Sequence, residues 1–271
     1  MSYYKVKEIY PWLHAIIDPF ENCHIYVAVG TKSALVFDTG HGFAPLIPEI
    51  KKITDLPFTL VLSHGHGDHA DGAIEFEEAY ISEADFELCL RHTGRTARRR
   101  IVAEVKELPI ALPSDFDEEA YIAKGAAEAG LADKLKILAI GHVFDIGGKT
   151  VEVVPLEGHT SGCIGLLFKE DKVLLSSDGI TPYLQWAFLN ESLPVSAFVA
   201  QLERSLTLDF DTMLDAHSGR PYTKDDVARF KQVMENIDLS KTTDFPKVPE
   251  FGGKLYTEGE FSIVIRADKL I

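Results

Sequence analysis

Three histidines and an aspartate lie within six positions of this chain, in the segment "SHGHGDHADG" of residues 63–72. His64 and His66 are separated by one residue, and in an extended segment that spacing places both imidazoles on one side, where they can bind one cation. Asp68 and His69 come next and can reach a second cation nearby. The intervening glycines let the backbone fold closely around such ions. The segment therefore predicts a metal site.

A buried strand must hold this cluster in place. The preceding "FTLVLS" (Phe58–Ser63) is a short continuous apolar run, as expected of a strand that is buried on both faces. Two ions need about four to six protein donors, so further ligands should end other strands, where a rigid sheet presents its side chains. Three candidates follow apolar runs in this way: His159 after Thr150–Pro155, Asp178 after Lys172–Ser176, and His217 after the run near Met213 and Leu214.

Strands alternate with helices along the rest of the chain, which predicts sheets covered by helices. The predicted strands are Cys23–Val29 and Ser33–Phe37, joined by a turn at Gly30-Thr31, and later Cys163–Phe168 and Phe261–Ala267. The predicted helices are Glu83–Val105, Phe116–Ala129, Pro194–Leu208 and Thr223–Ile237, the last with a weak capping pattern formed by Thr223 and Asp226. The helical stretch of residues 83–134 interrupts the alternation, and we expect it to be an inserted cap.

The ordered motifs "HGHGDH", "GHTSG", "SSDG" and "DAHSG" resemble those of the metallo-β-lactamase fold superfamily of hydrolases. The earlier "VFDTG" (Val36–Gly40) matches as well, and the resemblance implies that its aspartate, Asp38, supports the site from behind. The similarity runs from about Cys23 to Gly219. It implies an α+β fold, an αββα sandwich of two mixed β-sheets flanked by helices, with a dinuclear site at one edge. We expect a single domain over residues 1–271 that includes the helical cap insertion at residues 83–134.

The same resemblance implies how the ligands share two divalent metal ions. His64, His66 and His159 would bind one ion, Asp68, His69 and His217 would bind the other, and Asp178 would bridge them. Some true β-lactamases have a cysteine ligand where Asp178 stands, so an oxygen donor there favours the hydrolase branch that includes glyoxalase II and lactonases. Zinc suits these nitrogen and oxygen donors best, and iron or manganese remains open.

Two such cations can share a water and lower its pKa, so the expected reaction is attack by a metal-bridging hydroxide on a small-molecule ester, lactone or thioester. The resemblance suggests that Asp68 also steers the proton to the leaving group. Tyr183 could donate a hydrogen bond to a developing oxyanion. With Trp186 and Phe188, Tyr183 either forms an apolar wall for an acyl or aryl group or packs in the core.

Other activities stay open at this point. Persulfide dioxygenases share the fold and use one iron, which His64, His159 and Asp178 could hold. A phosphodiesterase and a non-catalytic metal-binding protein are further alternatives. Glyoxalase II-like enzymes bind glutathione with basic residues in a C-terminal helical extension. Here the tail after Lys241 is short and ends in a strand, so we do not expect specificity for glutathione. Metal content separates these alternatives: two zinc ions favour hydrolysis, and one iron favours oxygen chemistry.

The composition limits the classes of partner that the chain is expected to bind. The chain has 42 acidic and 27 basic residues among 271 and a formal net charge of −15, which disfavours nucleic acid and anionic membranes. It has no run of 18 apolar residues and no visible secretory signal. Three sparse cysteines do not resemble a disulfide framework, so we expect them to be buried in a cytoplasmic protein. We expect a small-molecule substrate and no nucleic-acid or membrane partner. The sequence leaves the oligomeric state open, and a homo-oligomer is one alternative.

Two further segments have more than one interpretation. "LRHTGRTARRR" (Leu90–Arg100) concentrates five arginines, Arg91 to Arg100, which are either a solvated helix face paired with Glu87 and Glu104 or an anion-recognising patch. His41 lies near Asp38 in sequence, but a surface loop is the simpler expectation for it.

Overall fold

The computed structural model of this chain describes residues 2–125 and 130–270. The chain forms two compact units, of which the first comprises Met1–Ala139 with Phe144–Thr150 and the second Ile140–Val143 with Val151–Ile271. The last four residues of the predicted helix Phe116–Ala129 lie outside the described residues.

The sheet of the first unit explains why polar residues gather at one of its edges. Its seven strands follow chain order: β1 (Lys5–Tyr10), β2 (Leu13–Asp18), β3 (Cys23–Val29), β4 (Ala34–Phe37), β5 (Phe58–Val61), β6 (Ala79–Ile81) and β7 (Leu135–Ile137). Strands β1 to β4 are antiparallel neighbours, whereas β4 to β7 are parallel. Phe37 pairs with Val61 at the ends of β4 and β5, so the segments that follow these two strands emerge side by side.

Six helices are described in the first unit: α1 (Ile47–Ile53), α2 (Gly67–Ala70), α3 (Phe86–His92), α4 (Arg95–Lys106), α5 (Glu118–Ala123) and α6 (Leu131–Lys134). Helices α3 to α6 connect the parallel strands β6 and β7, over the stretch where the sequence predicted a cap. The prediction of one continuous helix over Glu83–Val105 is wrong. The Thr93 hydroxyl donates to the Cys89 carbonyl at 2.8 Å where α3 ends, and Gly94 starts α4 in an extended conformation.

Two apolar clusters support the first unit. Ile16, Val27, Val36 and Leu60 from the sheet pack with Ile50 of α1, and all five are at most 1% exposed. A smaller cluster lies under α4 and α5, where Val102, Val105 and Tyr121 pack with Phe20 and Phe43. The helices of the predicted cap are therefore anchored by their own hydrophobic contacts.

A second sheet has six strands in the order β14-β13-β11-β10-β9-β8, and a third has four in the order β12-β17-β16-β15. The strands are β8 (Val143–Asp145), β9 (Thr150–Pro155), β10 (Ile164–Phe168), β11 (Val173–Leu175), β12 (Gln185–Ala187), β13 (Thr212–Leu214), β14 (Pro221–Tyr222), β15 (Thr243–Asp244), β16 (Lys254–Glu258) and β17 (Phe261–Ile265). All three sheets are mixed. The sequence predicted two sheets, and the four-stranded sheet is an addition built around the predicted C-terminal strand.

Two long helices cover the second unit, α7 (Val195–Ser205) and α8 (Lys224–Glu235), both within the predicted ranges. The predicted capping box at the start of α8 is confirmed: the Asp226 amide donates to the Thr223 hydroxyl oxygen at 3.2 Å, and the Thr223 amide donates to the Asp226 carboxylate at 2.7 Å. Phe198, Leu202 and Phe230 from these helices share a core with strand residues Leu174 and Met213. Among the described residues, no helix has the length and apolar character needed to cross a membrane.

Candidate metal centre

Asp38 is the common support of the histidine cluster in the first unit. The pairing of β4 with β5 sets its backbone beside the cluster, and the Asp38 amide donates to the Val61 carbonyl at 2.9 Å. One carboxylate oxygen accepts the Ser63 amide at 2.7 Å. The backbone φ of Asp38 is 71°, a left-handed conformation that is uncommon for a residue with a side chain and that is often found at functional sites.

His69 is held on both its side chain and its backbone. Its Nδ1 lies 2.9 Å from the Asp38 carboxylate, and its Nε2 lies 3.0 Å from the carboxylate of Asp68. The amide and the hydroxyl of Thr39 both donate to the His69 carbonyl, at 2.8 and 2.9 Å. In the neutral form of the completely buried His69, the Asp38 carboxylate accepts the Nδ1 proton and the lone pair is on Nε2, directed toward Asp68.

Ser63 gives His64 an orientation of the same kind. The Ser63 hydroxyl donates its only hydrogen to Asp38 at 2.9 Å, so the hydroxyl oxygen accepts the proton on Nδ1 of His64, also at 2.9 Å. The lone pair of His64 is then on Nε2, which lies 3.0 Å from Nδ1 of His66. Both imidazoles are buried, at 0% and 7% exposure.

The glycines of the cluster lie close to helix α3. A Cβ on Gly65 would lie 2.5 Å from the Cys89 amide nitrogen in α3, and one on Gly67 would lie 3.1 Å from the His92 carbonyl. The approach of α3 requires glycine at residue 65 and leaves little room for a side chain at residue 67, while the folding of this backbone around ions stays a prediction. The same approach brings the rings of His66 and His92 to a centroid distance of 4.8 Å.

The second unit gathers the other three predicted ligands. Strands β9, β11 and β13 run in one direction, so the segments after them emerge at one edge of the sheet. Nε2 of His217 lies 3.1 Å from one carboxylate oxygen of Asp178, and Nε2 of His159 lies 3.6 Å from the other. The structure therefore brings four of the seven predicted ligands together in the first unit and three in the second.

Hydrogen bonds to the backbone help to fix two of these residues, His159 and His217. Nδ1 of His159 donates to the Trp186 carbonyl at 2.9 Å, which leaves its Nε2 lone pair directed at Asp178. The Asp215 carboxylate accepts the amides of His217 and Ser218, at 3.2 and 2.8 Å. Burial raises the pKa of Asp215, although its bonds to Ser218 and the charge of His217 oppose the shift.

The donor chemistry fits divalent metal ions. In His64, His69 and His159, one ring nitrogen is bonded to an oxygen and the other is directed at another basic atom within 3.6 Å. Two lone pairs that face each other are stabilised by a proton or a cation between them. A histidine whose second nitrogen is fixed by an oxygen acceptor is the usual arrangement of a metal ligand, and nitrogen with oxygen donors suits zinc, iron or manganese.

The aromatic segment after Asp178 divides between surface and core. Phe188 is completely buried and packs against Phe245 and Phe251, so it contributes nothing to an exposed apolar wall. Trp186 is partly buried in the same cluster. Tyr183 is 57% exposed, and its hydrogen bond to an oxyanion stays a prediction.

Two polar residues lie deeper than the sequence suggested. His41 is completely buried rather than on a surface loop, with Nδ1 3.8 Å from Asp18 and Nε2 3.5 Å from Glu21. Burial alone lowers the pKa of His41, but the neighbouring carboxylates of Asp18 and Glu21 raise it above its ordinary value. Arg98 is 2% exposed and lies 3.1 Å from the Asp71 carboxylate, so neither interpretation of the arginine-rich segment applies to it.

The three cysteines are buried free thiols, as predicted. Cys23 donates to the Asp68 carbonyl at 3.1 Å, directly behind a predicted ligand. Burial raises the pKa of Cys23 and of Cys89, which keeps both thiols protonated at neutral pH.

Comparisons with known proteins found similar sequences and similar structures. No protein-family profile matches the chain. It is 27% identical over 169 residues to human (Homo sapiens) acyl-coenzyme A thioesterase MBLAC2 and 26% identical over 165 residues to the Gallus gallus protein of that name. These matches cover 57% of this chain and 56–57% of the relatives, so the chain spans little more than half the length of the curated proteins it matches.

Solved structures show the fold. A metallo-β-lactamase from Pontibacter korlensis superposes with a TM-score of 0.58 and 16% identity over 86% of this chain and all of the other. TTHA1623, solved in a di-iron-bound form, superposes with a TM-score of 0.56 and 19% identity, covering 80% of this chain and 97% of that one. At identities this low, the superpositions establish a common fold and nothing further.

Proposed function

We propose that this chain, which has the metallo-β-lactamase fold, is a metal-dependent hydrolase of acyl thioesters. One observation carries the proposal: His64, His69 and His159 each have one nitrogen bonded to an oxygen and the other directed at a further basic atom. An imidazole fixed in this way is prepared to bind a metal ion with little loss of conformational entropy.

The proposed cofactor is a pair of divalent metal ions, with zinc favoured and iron or manganese as substitutes. The proposed ligands of one ion are His64, His66 and His159, those of the other are Asp68, His69 and His217, and Asp178 is shared. Support comes from the short separations within each unit, such as the 3.0 Å between His64 and His66 and the 3.1 Å between His217 and Asp178. Basic nitrogen and oxygen atoms this close to one another favour a bound cation between them.

When bound, two such ions supply a hydroxide nucleophile at neutral pH and a positive charge for the substrate's carbonyl oxygen. The chain's own residues are proposed to transfer a proton and to donate a hydrogen bond during the reaction. The Asp68 carboxylate is 18% exposed, so it can hold the proton that passes to the departing thiolate. The exposed Tyr183 hydroxyl is proposed to donate to the developing oxyanion.

A thioester is favoured among the possible substrates because the curated relatives are named as acyl-coenzyme A thioesterases. Lactones and simple esters share the carbonyl chemistry and belong in the same test. We further propose a small-molecule substrate without nucleic-acid or membrane partners, and a cytoplasmic location, which the three free thiols support.

Metal analysis followed by a substrate panel tests the proposal. We expect about two zinc ions per chain, and release of free thiol from short- and long-chain acyl-coenzyme A that a chelator abolishes and zinc restores. His66→Ala should lose the activity, whereas His142→Ala, a change at an exposed histidine, should keep it. One iron per chain with oxygen consumption on a persulfide would replace the proposal by a dioxygenase, and turnover confined to phosphodiesters would replace it by a phosphodiesterase.

A further inference from the structure

We propose that Arg98 and Tyr121, on α4 and α5, are positioning residues of the metal centre. Through Asp71 they hold the turn that carries Asp68 and His69. We call Arg98, Tyr121 and Asp71 the Asp71 clamp. The inference rests on the proposed function, because it concerns the same ligands.

Asp71 is the point of attachment. It directly follows α2, two residues beyond His69, and it is 1% exposed. The Arg98 guanidinium lies 3.1 Å from its carboxylate, and the same nitrogen donates to the Asp71 backbone carbonyl at 2.6 Å. One side chain from α4 therefore fixes both the side chain and the backbone at the end of the ligand-bearing helix.

Tyr121 completes the attachment from α5. Its hydroxyl lies 2.9 Å from the other carboxylate oxygen of Asp71 and 3.0 Å from the His41 carbonyl, and it is 3% exposed. Its ring lies 4.6 Å from the Arg98 guanidinium carbon, as in a cation–π contact. The two side chains thus support each other as well as Asp71.

The burial of Arg98 indicates a specific purpose. An arginine is rarely buried unless it is paired and hydrogen-bonded. Arg98 meets both conditions, because its Nε also donates to the Thr93 carbonyl at 3.0 Å, at the break between α3 and α4. Arg99 and Arg100, next to it in the sequence, are exposed. The arginine-rich segment therefore contains one buried arginine, which bonds to Thr93 and Asp71, while its other four arginines are exposed.

The geometry predicts which ligands depend on the clamp. On its other side, α2 is held by Thr39, whose hydroxyl donates to the His69 carbonyl at 2.9 Å and accepts the Gly72 amide at 3.1 Å. Helix α2 is thus fixed between Thr39 and the clamp. His64 precedes α2 and is oriented by Ser63 instead. Loosening the clamp should displace Asp68 and His69 and leave His64 in place.

Stepwise metal binding tests this selectivity. The variants are Arg98→Lys, which keeps the charge but loses the planar fork, and Tyr121→Phe, which removes only the hydroxyl. Their matched controls are Arg99→Lys on the same helix and Tyr80→Phe on β6. Each purified protein is stripped, titrated with Co²⁺ while its absorption spectrum is recorded, titrated with Zn²⁺ against a chromophoric chelator, and melted with and without metal.

We expect both clamp variants to bind one of the two ions about tenfold more weakly, to keep the other within about twofold, and to change the Co²⁺ ligand-field spectrum of the weakened site. The controls should match the wild type. Equal binding and spectra in the variants, with a lower melting temperature alone, would overturn the proposal by showing a purely structural role. Equal weakening of both ions would overturn it as well. A wild-type protein that binds no metal refutes the proposed function and the clamp together, before any variant is compared.

Discussion

Three histidines of this chain bond to three different kinds of oxygen acceptor. His64 bonds to a serine hydroxyl, His69 to a carboxylate and His159 to a backbone carbonyl. Asp38 stands behind two of these contacts, because it accepts from both Ser63 and His69. At the scale of the residue, this one carboxylate fixes most of the donor geometry in the first unit.

Asp38→Asn tests that dependence. The amide keeps the size of the side chain but removes the charge, and it can present an NH₂ group where an acceptor is required. Because such supporting partners typically contribute 10–100-fold to metal affinity, we expect zinc binding to weaken by about that factor. Zinc competition against a chromophoric chelator measures the change.

The exposed Asp55 offers a matched control, and Asp55→Asn should bind zinc as the wild type does. Circular dichroism of both variants checks that the fold is kept. An Asp38→Asn protein with wild-type affinity would show that the histidines keep their orientation without the carboxylate.

Helix α1 shows how an element can depend on a distant residue. Leu46 precedes the helix and supplies no side-chain cap. The Glu75 carboxylate accepts the Leu46 amide at 2.9 Å and the Ile47 amide at 3.5 Å, so it satisfies amides that would otherwise lack partners within the helix. Its negative charge also interacts favourably with the helix dipole.

Glu75→Ala should therefore lower the free energy of unfolding by about 1 kcal/mol, as removal of a helix cap commonly does. Glu75→Gln, which retains an acceptor oxygen, should lose less. Urea denaturation with the apoprotein measures both, and Glu77→Ala at an exposed neighbouring position gives the background effect. Equal loss in the Glu75 and Glu77 alanine variants would mean that the cap contributes nothing.

The same carboxyl group predicts a pH dependence. Burial raises the pKa of Glu75, and the Leu46 and Ile47 amides and the charge of Lys124 offset only part of the shift. A raised pKa in the folded state means that the folded chain binds the proton more tightly. The contribution to stability is then complete below the pKa of an unfolded glutamate, about 4.3, and is lost as the pH rises through the folded value.

Denaturation at a series of pH values, with chelator present so that metal binding does not vary, measures this effect. Glutamine does not titrate, so the stability of the wild type relative to Glu75→Gln should fall as the pH rises from about 4 to 7. A constant difference, or one that grows with pH, would contradict the raised pKa.

At the scale of the whole molecule, metal binding and folding should be linked. A ligand that binds only the folded chain stabilises it by about 2.7 kcal/mol at a free concentration 100 times its dissociation constant. For a chain of this size we expect removal of metal to lower the melting temperature by about 5–10 °C. Scanning calorimetry before chelation, after chelation and after zinc is restored measures the shift.

His66→Ala should reduce the zinc-dependent part of that shift, and His142→Ala should leave it unchanged. A melting temperature that is the same with and without metal, at zinc concentrations well above those used in the binding assays, would contradict the linkage and the metal site with it.

Much of the element order follows from local patterns. Strands Cys23–Val29 and Thr150–Pro155 have the predicted limits, and α8 begins at the predicted capping box. Short elements escaped prediction, such as β1, which is mostly exposed, and β12, which has three residues. Such strands are fixed by pairing with neighbours rather than by their own composition.

The sequence by itself predicted which side chains could bind metal. Histidines and aspartates placed shortly after buried strands are expected at a sheet edge, because the ends of parallel strands present their following segments there. It also determined the fold, since the spacing of the four motifs already resembled the architecture that the solved structures confirm.

Only the tertiary structure decided what holds those side chains in place. His159 bonds to a carbonyl 27 residues away, Arg98 to one 27 residues away, and Glu75 to an amide 29 residues away. No local pattern encodes these partners, because each depends on how separate elements pack. An arginine among five, or a glutamate among many, acquires its role only when folding removes it from water and places it against distant acceptors or donors.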